Sequence, residues 1–299
     1  MAVKTNTVVT TGQTLSVREI DFVSQFNFRL QALRDLMGIA RPIRKQAGTQ
    51  LVSKVATITL GTSPAEGDEI PYSAVAYTEV PYGTITIQKY AKGITGEMVS
   101  KYGYDVAVAK SDQAFINKLA GNIQSAFYTY LATGNLTGTA TGFQAKLAKA
   151  KGLAVNFFKS ANLDASRWVG FVNVKDFYDY VGSANITVQN QFGLNYIVNF
   201  MGYDVIFLLS DNELASGKVI CTSAENLNMY YVNPNDSDFA RAGFEFTTDE
   251  LGLIGVHTEA KYSHFVSEMY AILGVVLFAE YLNGIAVISE TVSGNGQSS

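Results

Sequence analysis

Apolar residues at every third and fourth position mark the first regular element of the chain. Ile20, Val23, Phe26, Leu30, Leu33 and Leu36 form a helix-like stripe from Val17 onward. The opening before it is rich in Thr and Val, has no helical period, and reads as an extended arm. The period then changes to two. Val55, Thr57 and Thr59 alternate with Ala56, Ile58 and Leu60, and residues 84–88 read as a second strand, so 51–95 reads as a long β-hairpin. Between the strands lies GTSPAEGDEIPYSAVAYTEVPYG, with Pro64, Pro71 and Pro81 and the acids Glu66, Asp68 and Glu69, an exposed loop by its composition. Connections of this length are uncommon inside a compact domain. The loop reads as an excursion made to touch something else.

Residues 104–132 carry the strongest helical pattern. Phe115, Leu119, Ile123, Phe127 and Tyr130 recur at about 3.6, with Ile116, Ala120, Ala126 and Leu131 widening the stripe and Gly134 as a stop. Such a helix is about 40 Å long at 1.5 Å per residue. Gly121 inside it costs about 1 kcal/mol against alanine, which a close crossing by another backbone would explain. From 136 to 247 the pattern is mixed α/β. Gly134 to Gly142 reads as a flexible connection, 146–153 as a short helix, 168–174 as a buried strand, 176–181 as a helical turn, and 202–209 and 219–222 as strands. Three runs rich in Val, Ile and Leu, at 251–257, 271–278 and 284–291, read as closing strands, and the tail from 293 to 299 as disordered.

Charge sharpens this picture. The 299 residues are 16% charged and 47% hydrophobic, a low-charge chain with apolar surface to hide in a core or against copies of itself. The net charge of −4 disfavours a dedicated nucleic-acid reader while permitting residence beside packed DNA. The first 50 residues carry +4, through Lys4, Arg18, Arg29, Arg34, Arg41, Arg44 and Lys45 against Glu19, Asp21 and Asp35, and the remainder carries −8. Eight acids fall between Asp211 and Glu250 against Lys218 and Arg241. Opposite signs on two parts of one chain favour neighbour-to-neighbour docking, and a solvated helix face is the plainer reading. Arg29, Arg34, Arg41 and Arg44 on one side, and Glu66, Asp68, Glu69 and Tyr72 on the other, are the candidate contact residues between copies.

Motifs of chemistry are missing. The sequence holds no GxxxxGK[ST], no GxGxxG opening a helix and no GxSxG. His257 and His264 are too few for a metal site or a triad to be the first expectation. The single cysteine, Cys221, sits in an apolar strand and reads as an inert buried thiol. The acids at 66–69 lack the spacing of a calcium loop. Seventeen tyrosines and eighteen phenylalanines, without a basic groove, read as core and interface rather than base-stacking residues. The chain opens without an apolar signal core, and its longest apolar run, 269–279, is too short for a bilayer. Both features point to a protein made and kept in the cytoplasm, with no membrane partner.

An arm, a long hairpin with an acidic Gly/Pro tip, a long helix, an α/β unit and a return to strands follow one another in an order that resembles the major capsid proteins of tailed double-stranded DNA phages, the Hong Kong 97 fold. EGDEIPYS (66–73) looks like the tip of that family's extended loop. TITIQKYAKGITGEMVSKYGYDV (84–106) looks like its returning strand and the start of its spine helix, with Ile94, Thr95, Gly96 and Glu97 in the apolar-Thr-Glu pattern. DELGLIGVHTEA (249–260) and AILGVVLFAEYLNGIAVIS (271–289) look like its final strands.

The resemblance implies an α+β fold in which 1–50 is an arm and short helix and 51–95 the extended loop. A peripheral domain would comprise 96–135 and 248–292, and an axial domain 136–247. It implies a non-enzymatic subunit without cofactor or metal, assembling with itself into pentamers and hexamers around double-stranded DNA held non-specifically. The shell would form in the bacterial host cytoplasm and end in the virion. A separate scaffolding protein and a portal are further implied partners, because no long helical segment precedes the arm as it does in one branch of the family. The nearest rival, within the same fold, is an encapsulin-type nanocompartment. A tail-tube protein and a soluble α/β hydrolase stand further off.

Overall fold

A computed structural model of the protein describes residues 3–39, 42–182, 188–191 and 194–291; Arg41 and the tail from 293 lie outside them. Residues expected to be extended are helical, and α1 (Val3–Met37) runs unbroken through them. The stripe from Val17 supplies a nucleus, no proline stands in the way, and extending a helix is far easier than starting one. Phe22, Val23, Phe26, Leu30, Leu33 and Met37 are its buried face. Gly38, at φ +72°, closes the helix. Ile39 N–H bonds back to the Arg34 carbonyl at 3.0 Å and Gly38 N–H to that of Asp35 at 3.1 Å, which answers two of the last free carbonyls.

After the short β1 (Ile43–Arg44), β2 (Gln50–Thr59) and β3 (Ala74–Thr84) form an antiparallel two-stranded sheet of their own. The returning strand thus starts at Ala74, inside the stretch expected to be loop. Pro81 is tolerated there because it lies opposite a register shift between Leu51 and Val52 in a ribbon made only of edges. Ile85 is fully buried and breaks the run before β4 (Gln88–Thr95) joins a different sheet.

Thr95 then caps α2 (Gly96–Tyr102), its side-chain oxygen accepting from Met98 N–H at 3.3 Å. A single π-helical turn, Asp105–Ala109, leads into α3 (Lys110–Leu131). The regular helix is therefore about 33 Å long rather than 40. Its buried stripe is Ile116, Leu119, Ala120, Ile123, Phe127, Tyr128 and Leu131; Phe115 and Tyr130 lie half-exposed at its margin, and Ala126 faces outward. The expected backbone crossing at Gly121 is absent, since no atom of the described residues lies within 4 Å of where a Cβ would stand.

Next come β5 (Leu136–Ala140), α4 (Phe143–Ser160), β6 (Trp168–Asn173), α5 (Val174–Val181), β7 (Gln189–Gln191), β8 (Leu194–Phe200), β9 (Tyr203–Leu209), β10 (Val219–Ser223) and β11 (Leu227–Tyr231). They are followed by α6 (Ser237–Arg241), β12 (Ile254–Lys261), β13 (Val266–Leu273), β14 (Val275–Ala279) and β15 (Ala286–Glu290). Seven strands form one mixed sheet in the order β5-β15-β10-β6-β9-β8-β7. Two expectations change here. The stretch read as a flexible connection after Gly134 is a strand, parallel to β15. The last strand sits in this sheet, between β10 and β5, rather than beside β12 and β13. Burial on both faces explains the second change: Ala286 and Ile288 join the α4 side, and Ile285 and Val287 the α3 side.

Every residue of β6 and β10 is buried, as a strand covered on both faces requires. Trp168 and Val172 meet Leu147, Ala150 and Phe158 of α4. Val169 and Phe171 face the other way, into the cluster that holds α1, α3, β12 and β13. One core thus runs from α1 through α3 to the large sheet. No helix among the described residues is long and apolar enough to cross a membrane.

Candidate assembly surface

The β2–β3 ribbon is rooted in a small core of Leu51, Ile85, Val232 and Phe278. Ten residues of β2 at about 3.3 Å each take its tip about 33 Å from that root. The tip, residues 60–73, has local order. Gly61 N–H donates to Ser73 Oγ at 3.1 Å, Asp68 N–H to the Ala65 carbonyl at 3.1 Å, and Gly67 takes φ +90°. A side chain on Gly61 would collide with the Pro71 carbonyl.

Three large apolar side chains stand in water on this tip: Leu60 and Ile70 are 77% exposed and Tyr72 96%. Glu66, Asp68 and Glu69 are exposed beside them and form no ion pair with any described residue. A lone two-stranded ribbon is marginal in water. Apolar groups gathered on its end are the kind of surface that a partner covers. The acidic and aromatic residues singled out in the sequence are therefore brought together in space.

The candidate bases are not. Arg29 is half-buried on α1. Arg34 pairs with its neighbour Asp35 at 2.6 Å, and Arg44 pairs with Asp236 at 2.8 Å, fixing β1 next to β11. Arg41 lies outside the described residues. Within one chain none of the described three meets the loop acids.

Sequence reasoning missed the polar groups that seat α1. Arg18 donates to both oxygens of Asp112 on α3, at 2.7 and 2.8 Å, and Lys92 of β4 donates to the same carboxylate. Burial alone would raise the Asp112 pKa; hydrogen bonds from the two cations outweigh it and hold the carboxyl below its usual range. Burial likewise lowers Lys92, against the pull of Asp112. Glu19, 7% exposed, accepts from the backbone N–H and hydroxyl of Thr258 on β12 and from the Thr247 hydroxyl. Arg167 donates to the carbonyls of Asp35 and Leu36 at 3.5 and 3.2 Å, at the helix end where a cation is favoured. The only signal for these in the sequence was charge at the edge of an apolar stripe, Arg18 and Glu19 beside Ile20 and Val23.

A cavity of about 530 Å³ lies against the outer face of the β12-β13-β4 sheet, with Phe244, Phe246, Tyr90 and Ile272 as its apolar wall and Lys89 and His257 among its polar groups. Three or more His, Cys, Asp or Glu in metal-binding arrangement do not occur among the described residues. Cys221 is buried in β10, and burial pushes its thiol up to about 12, far from a reactive thiolate.

No protein-family model matches this sequence, and no curated protein matches it. Solved structures do. The capsid asymmetric unit of cyanophage A-1(L) aligns with a TM-score of 0.57 at 14% identity, over 85% of this chain and 91% of that one. The capsid of a native GTA particle aligns with a TM-score of 0.51 at 11% identity, over 86% and 90%. The holo-SrpI encapsulin complex of Synechococcus elongatus aligns at 0.47 and 9%, over 86% of each chain, a likeness too weak to carry weight. The first two show the fold: the chain has the α+β capsid fold of the Hong Kong 97 kind.

Proposed function

We propose that this protein is the major capsid protein of a tailed phage, a structural subunit rather than an enzyme. Pentamers and hexamers of it would close into an icosahedral shell around double-stranded DNA. The observation that carries this reading is the β2–β3 ribbon, which reaches about 33 Å from its root and ends in exposed Leu60, Ile70 and Tyr72. A single subunit has no use for that tip; a lattice of identical copies does. Contacts between unlike surfaces of identical subunits close into rings when the rotation fits. Interfaces of about 1,600 Å² each, repeated many times, give a sharp assembly threshold from individually modest contacts. In this reading the acids Glu66, Asp68 and Glu69 meet bases of a neighbour. A peripheral body of 96–135 with 248–285 carries an axial body of 136–247 completed by β15 (Ala286–Glu290), a scaffolding protein and a portal guide closure, and the mature site is the virion.

The test is to delete residues 60–73, which removes the exposed tip with Leu60, Ile70 and Tyr72, and to join the ends of β2 and β3 with a short Asn-Gly turn. The variant is expected to keep the circular dichroism and thermal midpoint of the parent while forming no shells by sedimentation. Normal shells from the variant would contradict the proposal. Loss of fold would contradict the claim that the tip is dispensable to the subunit.

A further inference from the structure

Among the described side chains of α1, those of residues 17–37, the buried polar ones are answered, with one exception. Arg18 and Glu19 are fully engaged near the start of the seated region, and Arg167 with the Gly38 closure serves its end. Between them sits Asn27. It is 2% exposed, in line with Val23 and Leu30 on the buried face, and neither its amide nitrogen nor its amide oxygen has a hydrogen-bond partner. Buried polar atoms are paired in the great majority of cases, because a lone one forfeits its hydration without compensation. An isosteric leucine at this helical position would remove that loss.

The loss exists only while α1 is seated. Lifting the helix returns the amide to water, so Asn27 shifts the balance toward the lifted state and does so at α1 alone. The pins at the two ends are polar contacts that water can replace, so what holds the helix down between them is its apolar face, Phe22, Val23, Phe26, Leu30, Leu33 and Met37, and Asn27 is the one group there that works against it. β1, held to β11 and by Arg44–Asp236, stays behind when the helix lifts.

We infer that α1 is a strap built to let go: it opens from the body as a unit about Gly38 while the rest of the subunit stays folded, and Asn27 is the residue that sets how readily it opens. This does not depend on what the subunit assembles into.

Native-state hydrogen exchange on the full-length protein tests it. In the parent, amides of residues 22–33 are expected to exchange at least tenfold faster than those of β6, β9 and β10. Asn27→Leu is expected to slow exchange in 22–33 tenfold or more and leave the three strands unchanged. Tyr128→Phe is the comparator, since its hydroxyl is the other buried polar group without a partner among the described residues and lies in the body; it is expected not to reproduce the α1 effect. Equal rates for 22–33 and the strands in the parent would overturn the inference. So would an Asn27→Leu effect that is absent or spread evenly over the chain, or an α1-specific effect of Tyr128→Phe.

Discussion

Gly121 stands in the middle of α3 with open space where its side chain would be. The conformational cost of a helical glycine is therefore uncompensated within the subunit. Gly121→Ala is expected to stabilise the isolated chain by about 1 kcal/mol, seen as a higher urea midpoint with an unchanged slope. A destabilised variant would mean that the helix needs this glycine for an intramolecular reason. Other glycines do have one: Gly96 lies under the Phe265 ring, and Gly134 lies against Ile285, so a Cβ at either place would overlap a neighbour. Residue type alone did not separate these cases, because the crowding partners are more than a hundred positions away in sequence. The same distance hid the partner of Arg44, which is Asp236. The exposure of the loop acids was legible, because composition reports exposure well.

At the scale of elements, periodicity placed α3, β6, β9 and β10 close to where they lie, because each is buried in a way its own period records. It failed at 3–16, where a Thr- and Val-rich opening is helical as an extension of a seeded helix. It failed again at β3, whose pairing is set by β2 across the ribbon rather than by its own alternation. How α1 attaches to α3 and β4 was also illegible, since it turns on one carboxylate shared by two cations. Arg18, Lys92 and Asp112 keep only 11%, 14% and 13% of their side-chain surface. Asp112→Asn leaves two nearly buried cations without an anion and is expected to destabilise the chain by about 3 kcal/mol. The pH dependence has a definite sign. The Asp112 carboxyl is held below its usual range, so its contribution is complete above about pH 4 and is lost as pH falls through its folded value. The difference in urea midpoint between parent and variant is expected to be constant from pH 7 to about 5 and to shrink below about 4. A difference independent of pH down to 2 would show that the carboxylate is not the stabilising group.

The whole molecule is a compact α+β body with one ribbon that leaves it. The order of parts was legible in the sequence, since each part differs from the next in period, charge or proline content. The placing of β15 in the large sheet was not, since a run such as AVIS fits any buried strand. On the proposed function, the ribbon acts between copies. Negative-stain electron microscopy of the purified chain at raised concentration, alone and with a co-expressed scaffold, is the most direct test. Closed shells, or rings of five and six, are the result predicted here. A chain that stays a monomer under every condition, by microscopy and by size-exclusion chromatography, would contradict the assignment of this fold to a self-assembling shell.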